Sequence, residues 1–220
     1  MGQYDQAVTA YQNAMDLASA SGDLLGEAKA LTGSGFVDSS TGQPQKAMEL
    51  FNRALAMAQQ VNNQQLRATL LGALALVYFN VGDSQNTLDR ANQALLIARQ
   101  IGDRNSEAST FSVIAMVNGR LGQSRKALDD FNQALLIFKE LGNRDSEANM
   151  LNDMGLTYER LGEAQQAIDR YNEAMAIYRQ TRDRSGEAHT LSNIGIVYKR
   201  LGNPQKALDY YNQALPILRQ

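Results

Sequence analysis

The 220-residue chain has no cysteine, no tryptophan, one histidine and three prolines. Without cysteine there is no disulfide framework, no thiolate metal site and no thiol nucleophile. The single imidazole, His189, has no second histidine with which to hold a metal. No apolar run approaches the ~18–20 residues that span a bilayer. The opening MGQYDQAVTA lacks the charged and apolar regions of a signal peptide. Net charge is −2 with no basic run, so there is no electrostatic footprint for nucleic acid. The glycines form no phosphate-cradling GxxxxGK[ST]. Asp129, Asp130, Asp169 and Asp209 stand among Lys and Arg, where solvated helix faces explain them better than a catalytic pair. These absences lead to the expectation of a non-enzymatic cytoplasmic protein with no cofactor, metal, nucleic acid or membrane partner.

What is present is a repeat of period 40. Blocks beginning at Thr41, Val81, Leu121, Leu161 and Leu201 read TGQPQKAMELFNRAL, VGDSQNTLDRANQAL, LGQSRKALDDFNQAL, LGEAQQAIDRYNEAM and LGNPQKALDYYNQAL, and MGQYDQAVTAYQNAM fits the same frame from Met1. A fixed period between about 20 and 50 residues marks a stacked array, because one supersecondary unit cannot bury its own apolar face. The expected organisation is a single array over residues 1–220, with a half repeat at 1–20 and helix pairs at 21–60, 61–100, 101–140, 141–180 and 181–220.

Each block reads as two helices. Ala167, Ile168, Tyr171, Ala174, Met175, Ile177 and Tyr178 recur at three- and four-residue steps, as do Ala188, Leu191, Ile194, Gly195, Tyr198 and Leu201. Between such helices stand Gly102-Asp103-Arg104 and Gly142-Asn143-Arg144, a glycine stop followed by an N-cap residue. Glu107, Glu147 and Glu187 fall in the first turn, where a carboxylate suits the helix dipole. Pro44 and Pro204 suit first-turn positions, whereas Pro216 is expected to kink or fray the last helix. Six copies of the first helix and five of the second give about eleven helices and no strand. Two columns are small, Ala14 to Ala214 on the first helix and Gly35, Ala75, Ala115, Gly155 and Gly195 on the second; aromatic columns flank them, as close helix packing requires.

The run Leu191-x-x-Ile194-Gly195-x-x-Tyr198-x-x-Leu201-Gly202, followed by Ala207-x-x-x-Tyr211-x-x-Ala214-Leu215, resembles a tetratricopeptide repeat. The usual early tryptophan is replaced by Leu31, Leu71, Phe111, Leu151 and Leu191, and the closing proline is missing. The 40-residue form resembles kinesin light chains, and wording such as YNQALPI, GDRNSEA and NIGIVYKRLG is similar to bacterial arrays, often joined to caspase-like CHAT domains. The resemblance implies an all-α solenoid of antiparallel helix pairs in a right-handed superhelix, with the second helices lining its concave wall and a protein or peptide as partner.

On that implied wall, one column reads Phe36, Leu76, Met116, Leu156 and Ile196, and another ends in Arg120, Arg160 and Arg200, with Asn152 and Asn193 nearby. Together they suggest a groove for an apolar peptide carrying acidic groups. Two other readings stand beside it. The apolar column packs between neighbouring helices, or the arginines only complement the C-terminal ends of their own helices. The alternative function is end-to-end self-association through uncapped terminal helices, around Tyr4, Val8, Leu215 and Leu218.

Overall fold

Apolar residues at helical spacing, punctuated every 20 residues or so, yield helices joined by turns of two or three residues. The computed structural model describes residues 2–219, and the side chains of all of these but 2, 3 and 5. Met1, which opens the first block, and Gln220 lie outside the described residues. The described residues form eleven helices and no strand: α1 Gly2–Ser21, α2 Leu24–Ser40, α3 Pro44–Gln60, α4 Gln64–Asn80, α5 Ser84–Ile101, α6 Arg104–Arg120, α7 Ser124–Glu140, α8 Arg144–Arg160, α9 Ala164–Thr181, α10 Arg184–Arg200 and α11 Pro204–Leu218. The odd-numbered helices are the first helices of the blocks and the even-numbered ones the second.

The chain divides into two compact units, Met1–Val117 and Asn118–Gln220. In the first unit α1 packs on α2, α2 on α3, α3 on α4 and α4 on α5; in the second α7 packs on α8, α8 on α9, α9 on α10 and α10 on α11. Consecutive packed helices joined by such short turns run antiparallel, which makes the fold all-α and solenoid-like in each unit. The α2–α5 core is built on Leu31, Phe51, Leu70 and Leu74, all wholly buried. Its counterpart in the second unit is built on Ile168, Tyr171, Ile194 and Val197.

The punctuation works as the sequence indicates. Eight turn glycines, from Gly22 to Gly202, take φ between 67° and 86°, the left-handed conformation that ends a helix. Where glycine is missing, Asn62 (φ 51°) and Arg182 (φ 61°) adopt it instead. The side chains of Asp23, Asn63, Asn143 and Asp183 accept the capping bond at the starts of α2, α4, α8 and α10. Asp103 does the same for the Ser106 N–H at the start of α6. Pro216 lies inside α11, which continues past it to Leu218. Its missing N–H takes away the usual intrahelical donor to the Asn212 carbonyl, close to the end of the helix.

The small columns are contact sites. A Cβ on Gly35 would stand 2.6 Å from the Phe51 ring, one on Gly155 2.5 Å from the Tyr171 ring, and one on Gly195 2.5 Å from the Tyr211 ring. In α2, α8 and α10 this glycine thus lets the aromatic ring of the next first helix lie on its backbone.

Candidate binding wall on the second helices

Four successive columns of the second helix decide what it buries. Leu74, Ile114, Met154 and Ile194 are buried, as are Ala75, Ala115, Gly155 and Gly195, and also Val77, Val117, Thr157 and Val197. The column between the last two differs. Phe36 is 47% exposed, Leu76 41% and Ile196 37%, while Met116 and Leu156 are half-buried. Met116 leans on the cluster of Ala75, Ala91, Val113 and Ile114, and Leu156 on the cluster around Tyr171. Within each unit the column is therefore a row of apolar side chains with their outer surface in solvent.

In the first unit this row borders a cavity of about 380 Å³ over α4, reaching Phe36 of α2, Ala91 of α5 and Val113 of α6. No charged side chain lines it; its polar atoms come from Thr69, Asn105, Ser106, Ser109 and Thr110. The sequence gives little warning of this cavity, because it arises from small residues, Ala68, Gly72, Ala73, Ala75 and Ala91, that only the fold brings to one place.

In the second unit the wall is polar. Asn193 Nδ2 donates to Asn152 Oδ1 at 3.2 Å, and Thr190 Oγ1 reaches the same oxygen at 3.4 Å. The predicted pair Asn152 and Asn193 is thus brought together across two helices, with amide valences left over. Tyr178 donates its hydroxyl to Asn149 Oδ1 at 2.7 Å. Burial pushes the Asp153 carboxyl up to about 6, against the opposing pull of Arg160 and the Asn152 amide.

The three arginines are exposed but differ in their surroundings. Arg200 Nη1 pairs at 2.6 Å with Glu159, which also accepts a hydrogen bond from the Tyr171 hydroxyl. Arg160 acts on Asp153, and Arg120 ends α6. His189 is exposed, and no group of three metal-binding side chains occurs among the described residues. Likewise, no helix of the described residues is long and apolar enough to cross a membrane.

The sequence reading missed the buried carboxylates of the GDRxxEA turn. Glu107 is held by Arg99 Nε at 2.8 Å and by Arg104, Glu147 by Arg144 with Lys139 at 3.9 Å, and Glu187 by Arg179 and Arg184, each at 2.8 Å. Each Glu is 5–6% exposed. The signal was there: the three cation–cation–Glu sets recur together, and in the block where Gln59 and Gln64 replace the cations, Arg67 replaces the Glu.

No curated protein matches the sequence. Among solved structures, the chain is similar to BtubC (BKLC) from P. vanneervenii, with 21% identity, a TM-score of 0.83, and 98% of this chain and 91% of that one covered. It is also similar to a putative kinesin light chain with nearly identical TPR-like repeats from Podosopora anserina (19% identity, TM-score 0.70, 86% and 93% covered). A Rap protein complexed with competence and sporulation factor matches at 16% identity and a TM-score of 0.70, over 99% of this chain and 71% of that one. At these identities the likeness speaks for the fold alone. The family profile described as tetratricopeptide repeat matches residues 1–60, 66–140 and 146–220, and with the eleven paired helices this places the chain in the tetratricopeptide repeat family.

Proposed function

We propose that the chain is a non-enzymatic interaction scaffold that holds a segment of a partner protein against its second helices. The observation that carries this reading is the solvent-facing row of apolar side chains on helices whose adjacent columns are buried. Apolar surface in such a row marks a binding site more often than isolated exposed leucines do. In the first unit the contacts are Phe36, Leu76 and Met116. In the second they are Leu156 and Ile196, with Asn152 and Asn193 offering amides to a peptide backbone and Arg160 meeting an acidic side chain. Arg120 belongs to the same exposed arginine column and steers acidic groups. Arg200, already paired with Glu159, serves the wall more as a brace.

Panning a randomised peptide library against the intact chain tests this. Leu76→Asp and Ile196→Asp should fold normally, since both residues are exposed, and should weaken selected peptides by about five- to thirtyfold, or ~1–2 kcal/mol. Arg160→Glu should slow association of acidic peptides and reduce its salt dependence. Selected peptides that bind all three variants like the parent would end the proposal.

A second reading, self-association, is favoured by α11. Leu208 is 51% exposed, whereas Leu128 and Ile168 in the same column are 5% and 6% exposed. Leu215 and Leu218 are exposed beside it. Light scattering across a concentration range should show growth that Leu208→Lys/Leu215→Lys removes; a constant monomer mass in the parent sinks this reading.

A further inference from the structure

The ends of α8 and α10 make one contact with different chemistry. At the end of α10, Arg200 reaches back to the preceding second helix, where its Nη1 stands 2.6 Å from Glu159 Oε1. The same side chain accepts a hydrogen bond from the Tyr171 hydroxyl at 3.2 Å. At the end of α8, Arg160 holds the equivalent position, but the residue it reaches back to is Gly119. The guanidinium keeps its place: a Cβ on Gly119 would lie 3.4 Å from Arg160 Nη1. The residue matching Tyr171 is Phe131, which has no hydroxyl to offer. Carboxylate and phenol are thus missing together one repeat earlier, while the arginine remains. The place is open. Gly119 is partly exposed and Arg160 is exposed. Besides Arg160, a Cβ on Gly119 would meet only Ala127, at 3.8 Å. Arg160 feels the charge of Asp153 earlier on α8, but it forms no hydrogen bond or ion pair among the described residues.

We propose that Gly119 and Arg160 form a seat for a glutamate side chain of the partner segment, which takes there the place that Glu159 takes beside Arg200. This rests on the reading of the second helices as a peptide-binding wall. Charge complementarity sets the class of occupant, since an exposed guanidinium without a bonded partner gains most from a carboxylate. The chain's own pair sets the residue type: a glutamate meets the arginine at this position of the repeat. At Arg200 that carboxylate comes from within and the seat is closed; at Arg160 it has to come from outside. Leu156 lies one turn before Arg160 on α8, so the two side chains are neighbours on one face. The segment that fits therefore presents an apolar side chain to Leu156 and a glutamate beside it. Gly119 decides the specificity, because a glutamate at that position would fill the seat from within.

The test uses the intact chain and a bead-bound library of N-acetylated random peptides, which carry no terminal carboxylate. Gly119→Glu supplies the missing carboxylate from within, and Gly119→Gln supplies the same shape without the charge. Both should fold, because a Cβ here meets only the tip of a flexible arginine and Ala127 at an ordinary distance; circular dichroism checks this. The parent and Gly119→Gln should enrich glutamate beside an apolar residue, and Gly119→Glu should not. For an enriched peptide, released as its amide, changing the glutamate to glutamine should weaken binding to the parent by about three- to tenfold. The same change should make no difference to Arg160→Gln, as a double-mutant cycle requires of two groups that meet, and should keep its full effect on Arg200→Gln. If Gly119→Glu does not fold, this cycle decides by itself. Glutamate dependence that survives in Arg160→Gln, or that is as strong in a folded Gly119→Glu as in the parent, overturns the proposal. Enriched peptides that lose binding to Leu156→Asp but carry no glutamate overturn the seat and leave the wall standing. No enrichment on the parent ends both readings.

Discussion

The buried carboxylates at the turns show how much a single side chain decides. Burial pushes the Glu107 carboxyl up, but hydrogen bonds from Arg99 and Arg104 outweigh it and hold the group below the ordinary value of 4.5. A carboxyl depressed in the fold stabilises it fully above its unfolded pKa, and that contribution declines as pH falls through the folded value. Glu107→Gln should therefore cost about 1–3 kcal/mol at neutral pH and flatten the loss of stability below pH about 4.5, read by urea denaturation across pH. A variant as acid-sensitive as the parent would refute the assignment. Glycines divide in the same way. Gly155→Ala drives a methyl to 2.5 Å from the Tyr171 ring and should cost ~1–3 kcal/mol. Gly72→Ala, with open space above it, should add up to ~1 kcal/mol through helix propensity. Thermal melts of the two variants moving in the same direction would show that glycine here serves the backbone and not the contact.

At the scale of the helix, regular ends matter more than strong amphipathicity. The second helices bury residues on two sides, against the preceding and following first helices, so their apolar residues spread around the axis; the first helices keep one clear stripe. What defines the second helices is their termini, an Asp or Asn cap before and a left-handed residue after. Arg182 is the costly exception, since a side chain in that conformation is disfavoured by ~1–2 kcal/mol. Arg182→Gly should raise stability by about 1 kcal/mol, whereas Asn62→Gly should gain less, because asparagine tolerates the conformation. Denaturant midpoints for the pair check this; an Arg182→Gly variant less stable than the parent would point to a tertiary role for the guanidinium.

For the molecule at large, helices within each unit touch chiefly their immediate neighbours, with small contacts between α2 and α4 in the first and between α8 and α10 in the second. Stability in such an array approximates a sum of local interfaces. Gly155→Leu should therefore weaken hydrogen-exchange protection in α8 and α9 while leaving α2–α4 as in the parent. Uniform loss along the chain would mean that the array unfolds as one cooperative body.

Sequence alone indicated about eleven helices, the absence of strands and the places of the turns, because the 40-residue period, the glycine stops and the caps act locally and repeat. It also singled out the row from Phe36 to Ile196, since five apolar residues in one column are visible without coordinates. The sequence could not decide whether that row is core or surface: helical periodicity says that residues share a face, and only the packed neighbours determine whether the face is covered. Tertiary structure turned Glu107, Glu147 and Glu187 from dipole partners into buried ion-pair hubs, because residues eight apart along the chain meet across a turn. It also formed the cavity over α4 in the first unit, whose lining residues come from four helices that sequence keeps apart and only packing brings to one place.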